Sequence, residues 1–348
     1  MKKIKIGKRE IGDGEPCFIV AEISANHLKK KENAFKLIEE AKKAGADAVK
    51  FQTYTPETIT IKSDKEYFRI KGTIWKGKTL YELYSEAYTP WEWFPELKDR
   101  IEQEGMIFFS TPYDKTAVDL LEKLNVPLYK VASFEINDIP LLKYIASKKK
   151  PIFLPTGVAD IDDIKLALST IREQENDDIV ILKCVSAYPA PLKELNLKTI
   201  QDIRKRFGVL PGLSDHTLGI SVASASIALG AKVIEKHLIL DRKMGGPDAP
   251  FSLEPHEFKK MVSAVREAEE AIGEITYELT EKAKEHRIFM RSIFVVKDIK
   301  KGERFTEKNI KVIRPGYGLH PKYYESILRK RAKKNIEKGT PLDLKMVE

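Results

Sequence analysis

Short apolar runs separated by amphipathic stretches organise most of this chain. The runs fall at 18–21, 48–51, 107–109, 128–131, 152–154, 179–182, 209–213 and 233–234. Each of the first seven is followed by a segment with helical spacing, and Pro255–Ile272 supplies the eighth. Ala34, Ile38 and Ala41 stand at i, i+4 and i+7 before a stop at Gly45, and Phe258, Met261, Val262 and Val265 form a comparable face before Gly273. Runs that are apolar throughout, without alternation, mark strands buried on both faces. Eight βα units of this kind predict an α/β fold, a closed (βα)8 TIM barrel. An open doubly wound sheet is the alternative, but no glycine-rich dinucleotide loop follows the first run. Ahead of the barrel, residues 3–15 read as a hairpin turning at Gly12-Asp13-Gly14.

Two segments break the rhythm. Residues 53–90 form a long excursion after the second strand, rich in Tyr and Lys, and 277–287 is a polar linker with helical character. Beyond it, Lys297-Asp298-Ile299-Lys300-Lys301-Gly302 is echoed by Lys334-Asn335-Ile336-Glu337-Lys338-Gly339, which predicts a small, pseudo-duplicated β-rich domain. The expected division is a barrel over 1–275, a linker over 276–288 and a small domain over 289–348. Charge supports it. From Phe289 onward there are 16 Lys+Arg against 7 Asp+Glu, so the whole net charge of +9 lies there and the rest is balanced. These basic residues are interspersed with acids and lack an aromatic stacking pattern, so a solvated surface or attraction of an anionic substrate is favoured over nucleic acid. No run approaches the ~20 apolar residues of a membrane span, and the basic start lacks the apolar run of a signal peptide. Cys17 and Cys184 lie in apolar runs and read as buried thiols. A cytoplasmic protein is the expectation.

In a barrel the C-terminal strand ends form the active face. Polar residues follow nearly every run here: Glu22, Asn26 and His27; Lys50 and Gln52; Ser110 and Thr111; Lys130, Ser133 and Glu135; Thr156; Ser186 and Tyr188; Ser214, Asp215 and His216; Glu235 and His237. A second echo, 44–52 against 229–237, pairs Lys50/Gln52 with Glu235/His237, and residues two apart share one strand face. His216 and His237 end neighbouring strands, where both imidazoles can reach one point. Two protein ligands leave open positions, which suits a divalent cation that also binds water and substrate oxygen. Of the other histidines, His256 and His286 read as exposed, and His27 and His320 have no evident partner. Lys50, Thr111, Lys130, Ser133 and Ser214 offer cations and hydroxyls suited to phosphate and carboxylate, although each could equally pair with a rim acid such as Glu135. Lys183 could form a Schiff base, but it lies mid-strand.

At these residues the chain resembles the sialic acid synthase family, especially its pseudaminic acid synthase branch. The likeness spans essentially the whole sequence. It rests on Ala21-Glu22-Ile23-Ser24-Ala25-Asn26-His27, Lys50-Phe51-Gln52-Thr53-Tyr54, Lys130-Val131-Ala132-Ser133-Phe134-Glu135, Gly212-Leu213-Ser214-Asp215-His216, Glu235-Lys236-His237 and Arg314-Pro315-Gly316. The resemblance implies that the terminal segment is an antifreeze-protein-like (SAF) domain. It further implies a divalent metal on His216 and His237, with Mn2+ favoured over Mg2+ or Co2+, and a domain-swapped homodimer in which the small domain covers the partner's barrel mouth. Lys50, Thr111, Lys130, Ser133, Ser186 and Ser214 would then hold phosphoenolpyruvate. Gln52, Glu135, Tyr188, Asp248 and Arg314 would hold the sugar, and Glu22 would be catalytic. Ser186 stands where neuraminic acid synthases often carry Asn and the pseudaminic branch often carries Ser. The stretch 67–88 favours that branch, whose acceptor is 2,4-diacetamido-2,4,6-trideoxy-L-altrose. One departure is Trp93-Phe94, where the resemblance leads one to expect Trp followed by His.

The implied reaction adds C3 of phosphoenolpyruvate to the sugar aldehyde, adds water at C2 with Glu22 guiding the proton, and releases phosphate by C–O cleavage. Three other readings remain open. An N-acetylneuraminate or legionaminate synthase would take an N-acetylmannosamine-type sugar. A Schiff-base aldolase would use Lys183 and release no phosphate. A non-catalytic polyanion-binding protein would show salt-dependent nucleic-acid binding.

Overall fold

A computed structural model describes residues 3–348 of the chain. It divides into two compact units, one running through Gly273 and one from Glu274 to Glu348.

The first unit is a closed barrel of eight parallel strands: β3 (Phe18–Glu22), β4 (Ala48–Thr53), β5 (Ile107–Pro112), β6 (Tyr129–Lys130), β7 (Ile152–Pro155), β8 (Ile179–Cys184), β9 (Leu210–Asp215) and β10 (Val233–His237). Strand order around the barrel follows sequence order, and β10 closes on β3 with His237 opposite Glu22. All eight apolar runs of the sequence are strands, and the eighth reaches farther than its apolar part, through Glu235 to His237.

Alternation within each strand sorts the side chains. Phe18 and Val20, Ala48, Phe109, Phe153, Val180 and Leu182, Leu210 and Val233 gather in one buried cluster that fills the barrel interior. The next inward positions toward the C-terminal end are Glu22, Lys50, Thr111, Lys130, Cys184, Ser214 and Glu235. One face of most strands is thus greasy low in the barrel and polar at the rim, with β7, which ends at Pro155, the exception. The opposite face of the strands carries Ile19, Ala21, Val49, Phe51, Ile179 and Ile181, packed with helix residues in the larger core. Helix Pro255–Ile272 contributes Phe258, Met261, Val262 and Val265 to that core, each burial stabilising by about 1.5–3 kcal/mol.

The hairpin forms, but its turn is not at Gly12-Asp13-Gly14. Strands β1 (Ile4–Ile6) and β2 (Arg9–Ile11) pair antiparallel with Ile6 opposite Arg9, so the loop is Gly7-Lys8. Gly7 has φ +57°, which fits a glycine at the first position of a two-residue hairpin turn. Register explains the choice, because Ile4, Ile6 and Ile11 all join the interior cluster.

In the excursion, helix Leu80–Ala87 starts at a capping box in which Thr79 and Glu82 satisfy each other's backbone N–H groups. His27 does have a partner. Its ring is buried and its Nε2 lies 3.0 Å from Thr89 Oγ1, tying the end of β3 to the end of the excursion. Phe94 is buried against Phe51 and Phe108 and stands away from the barrel mouth, so the departure at Trp93-Phe94 is a matter of core packing.

The second unit begins with the linker helix Glu281–His286. It then forms a small core of Ile293, Val295, Ile299, Phe305, Ile310, Ile327, Ala332, Ile336, Leu342 and Val347. Regular strand is limited to β11 (Ser292–Val295) and β12 (Ile310–Ile313), and isolated bridges supply the remaining pairing. The sequence echo is physical. Ile299 and Ile336 exchange backbone hydrogen bonds, both at 2.8 Å. The backbone N–H of Lys301 donates to Asn335 Oδ1 at 2.8 Å, and that of Lys338 donates to the matching Asp298 Oδ1 at 2.7 Å. The two copies cap one another.

A candidate active site at the C-terminal rim of the barrel

Four charged side chains meet just inside the rim because β3, β4, β6 and β10 each place one on the inward face. Lys50 pairs with Glu22 and lies 3.7 Å from Glu235 Oε1, and Lys130 Nζ donates to the same oxygen at 3.0 Å. Lys50 also donates to Thr111 Oγ1 at 3.1 Å, Ser214 donates to Glu235 Oε1 at 3.3 Å, and Gln52 donates to Glu22 Oε1 at 3.2 Å. All four charged groups are buried. Burial pushes Glu22 up to about 7, against the pull of Lys50. Burial acts upward on Glu235 as well, but Lys130 and Lys50 together hold it below the usual carboxylate range. Glu235 Oε2 is buried with no hydrogen-bond partner among the described residues, an acceptor left for something else.

Above this layer lies a cavity of about 210 Å³. Lys50, Thr111, Lys130, Ser133 and Ser214 line it, together with Gln52, Glu135, Tyr188, Asp248, His216 and His237. Three of the residues given a catalytic or binding role by the resemblance lie outside that lining. Glu22 sits behind Lys50 and Gln52. Ser186 is half-buried beside Gly157, where a Cβ on the glycine would come within 2.0 Å of Ser186 Oγ and 2.7 Å of Ser133 Oγ. Arg314 is exposed on the second unit. Lys183 belongs to the other face of β8, the face that carries Ile179 and Ile181, and donates to the Cys184 carbonyl at 3.1 Å. It does not reach the cavity, which removes the geometric basis for a Schiff base there.

The histidines are held by their Nδ1 atoms. His216 Nδ1 lies 3.0 Å from the Val185 carbonyl, which fixes it as a donor and leaves Nε2 as the lone-pair nitrogen. His237 Nδ1 lies 3.3 Å from Ser24 Oγ, and Ser24 in turn donates to the Asp248 carboxylate. The rings are 5.4 Å apart between centroids, with Phe251 packed against both. Burial, then the charge of His216, holds His237 well below the usual imidazole range, so it stays neutral. Burial pulls His216 down, but Cys184 and the Val185 carbonyl outweigh it and raise it, so a divalent cation held by both rings would take the place of a proton on His216. Among the described residues no set of three or more His, Cys, Asp and Glu is disposed around one point, so water or substrate would complete the shell. The donor set fits a catalytic cation with open positions.

The other wall comes from the excursion. Trp75 donates its indole N–H to the Pro247 carbonyl at 2.9 Å and packs 5.5 Å from Tyr188. Tyr54, Ile59, Leu83, Tyr84 and Ala87 continue the wall. Glu135 faces it, pushed up to about 7 by burial and then by Asp138, and its Oε2 is without a hydrogen-bond partner among the described residues. Sequence reasoning assigned no role to Glu235, Ser24, Trp75 or the excursion tyrosines. Glu235 carried a signal through its match to Lys50 in the second echo, and Ser24, Tyr54, Trp75 and Tyr84 carried one only as parts of the stretches on which the resemblance rests.

Cations over a buried acid pair, two anchored imidazoles and an aromatic wall define a barrel enzyme that handles a small anion and a polar organic partner. The chain belongs to the NeuB family, whose model matches residues 37–277, and a SAF domain matches 290–348. It is 47% identical to a pseudaminic acid synthase of Campylobacter jejuni over 93% of this chain and 95% of that one. A pseudaminic acid synthase of Helicobacter pylori is 44% identical over 96% of this chain and 98% of its own. Among solved structures, an N-acetylneuraminic acid (sialic acid) synthetase from Leptospira borgpetersenii in complex with citrate superposes with TM-score 0.73 at 31% identity, covering 82% of this chain and 95% of that one.

Proposed function

We propose that this chain condenses phosphoenolpyruvate with 2,4-diacetamido-2,4,6-trideoxy-L-altrose, releasing phosphate, to form pseudaminic acid. The observation that carries this reading is the likeness to pseudaminic acid synthases along nearly the whole chain, at 44–47% identity. It is a C–C bond-forming sugar-acid synthase working in the cytoplasm, where phosphoenolpyruvate is made.

Lys50 and Lys130, with Thr111, Ser133, Ser186 and Ser214, bind the phosphate and carboxylate of phosphoenolpyruvate. In the free protein Glu22 and Glu235 neutralise these lysines. An arriving anion draws Lys50 away from Glu22 and leaves that carboxyl available. Gln52, Glu135, Tyr188 and Asp248 orient the sugar, and Arg314 of a second chain in a domain-swapped homodimer closes over it. His216 and His237 hold a divalent cation, Mn2+ before Mg2+ or Co2+. When bound, this ion polarises the sugar's C1 aldehyde. C3 of phosphoenolpyruvate then forms the new bond to C1 as the aldehyde π bond breaks and its electron pair moves to the oxygen, which takes up a proton to become a hydroxyl, leaving a cationic centre at C2. Glu22, pushed up to about 7, acts in its ionised form and takes the proton from the water that adds at C2. The tetrahedral adduct collapses by breaking C2–O, and the lysines stabilise the departing phosphate.

The test is a panel of acceptors. With phosphoenolpyruvate and Mn2+, phosphate release should be fastest with the diacetamido altrose and yield a product of pseudaminic acid's mass. Faster turnover of N-acetylmannosamine, or of its diacetamido counterpart in legionaminate synthesis, would reassign the acceptor.

A further inference from the structure

Three tyrosines meet at one end of the cavity. Tyr54 directly follows β4 and Tyr113 directly follows β5, with ring centroids 5.0 Å apart. Tyr84, on helix Leu80–Ala87, packs its ring 5.5 Å from Tyr54. All three line the cavity, and none of their hydroxyls has a hydrogen-bond partner among the described residues. Tyr54 is only 3% exposed although it lines the cavity. Leu83 and Ala87 lie on the same wall, and Glu135, with its partnerless Oε2, borders it.

The barrel order fixes where this group stands. Going round the closed sheet, β5 lies opposite β9 and β4 lies opposite β8. His216 follows β9 and Tyr188 follows β8. Tyr113 therefore stands on the rim across from His216 and Tyr54 across from Tyr188, while His237, at the end of β10, is separated from β4 only by β3. A sugar whose aldehyde meets His216 and His237 extends its far substituents toward the tyrosines.

We infer that Tyr54, Tyr84 and Tyr113, with Leu83 and Ala87, form a subsite for an acetamido substituent remote from the reacting aldehyde, the one at C4 of the sugar. This rests on the reading above that the acceptor is a 2,4-diacetamido sugar. An amide carbonyl accepts from tyrosine hydroxyls, its N–H donates to a free carboxylate oxygen, and its methyl needs apolar cover. The wall supplies each of these. A bare hydroxyl would leave Leu83 and Ala87 uncovered, and an anionic group would face Glu135. Burial keeps the Tyr54 and Tyr113 hydroxyls protonated and therefore able to donate.

The experiment compares kcat/KM for the diacetamido sugar and for its analogue with a hydroxyl at C4. Wild type is measured beside Tyr54→Phe, Tyr84→Phe and Tyr113→Phe, which keep the ring packing. Each substitution should shrink the preference for the acetamido sugar by roughly fivefold, through KM for the sugar and without a change in KM for phosphoenolpyruvate. Ala87→Leu, which fills the methyl position, should shrink the same preference. A preference unchanged in all four variants overturns the subsite, as does equal loss on both sugars. Wild type that ignores the diacetamido sugar and turns over another acceptor overturns the substrate assignment itself, and the subsite with it.

Discussion

Lys236 and Asp215 form an ion pair fully enclosed between neighbouring strands, Nζ to Oδ2 at 2.7 Å, and each immediately precedes one of the two facing histidines. Thr217 completes the cage, its N–H and hydroxyl each donating to Asp215 Oδ1 at 2.8 Å while Lys236 donates to its carbonyl. The pair locks β9 against β10 on the face away from the cavity, so His216 and His237 arrive in register. Removing one partner strands a buried charge. Asp215→Asn should cost about 3–5 kcal/mol in chemical denaturation, and the double change Asp215→Leu with Lys236→Met should recover much of it.

The eight strands and the polar rim were legible because one periodicity governs both. Positions two apart face the same side, so Lys50 and Gln52, or Glu235 and His237, could be grouped from spacing alone. The hairpin turn was not legible, since Gly12-Asp13-Gly14 is the stronger local turn signal. What decides the register is the burial of Ile4, Ile6 and Ile11 in the barrel, a long-range term. The tyrosine wall was invisible for a similar reason. Tyr54, Tyr84 and Tyr113 come from three separate segments, and only the fold of the excursion brings them together.

Metal binding is tested without turnover. His216→Ala and His237→Ala should fold normally and lose the divalent ion in elemental analysis. Ser24→Ala, which frees His237 Nδ1, should weaken metal affinity by roughly tenfold or more. Full metal content in both histidine variants would contradict this assignment.

Glu135 should give sugar binding a pH dependence. Its carboxyl is held up to about 7, so it becomes protonated as pH falls through that value. A neutral carboxyl is a weaker acceptor for sugar donors, so KM for the sugar should rise below about pH 7. The folded protein also favours the neutral form, so this group's contribution to stability is present below its unfolded pKa and is lost as pH rises through about 7. Glu135→Gln should flatten the KM profile and reduce the stability slope, of which Glu22, also pushed up to about 7, keeps its share. A sugar KM that is flat in wild type across this range would contradict the role.

Arg314 is exposed on the second unit, in the part of the chain that carries the net positive charge. If it acts on the partner's sugar, inactive Glu22→Gln and inactive Arg314→Ala chains should complement after subunit exchange. Random mixing of equal amounts restores about a quarter of the sites. No recovery despite demonstrated exchange would reject the swapped arrangement.

The central claim is that phosphoenolpyruvate loses phosphate by C–O cleavage while its C3 joins the diacetamido sugar. Phosphoenolpyruvate labelled with 18-O at the bridging position, turned over with 2,4-diacetamido-2,4,6-trideoxy-L-altrose, tests both halves in one mass spectrum. The expected result is label in the released phosphate and an unlabelled product with the mass of pseudaminic acid. Label retained in the sugar acid, or label released with no condensed product, would contradict it.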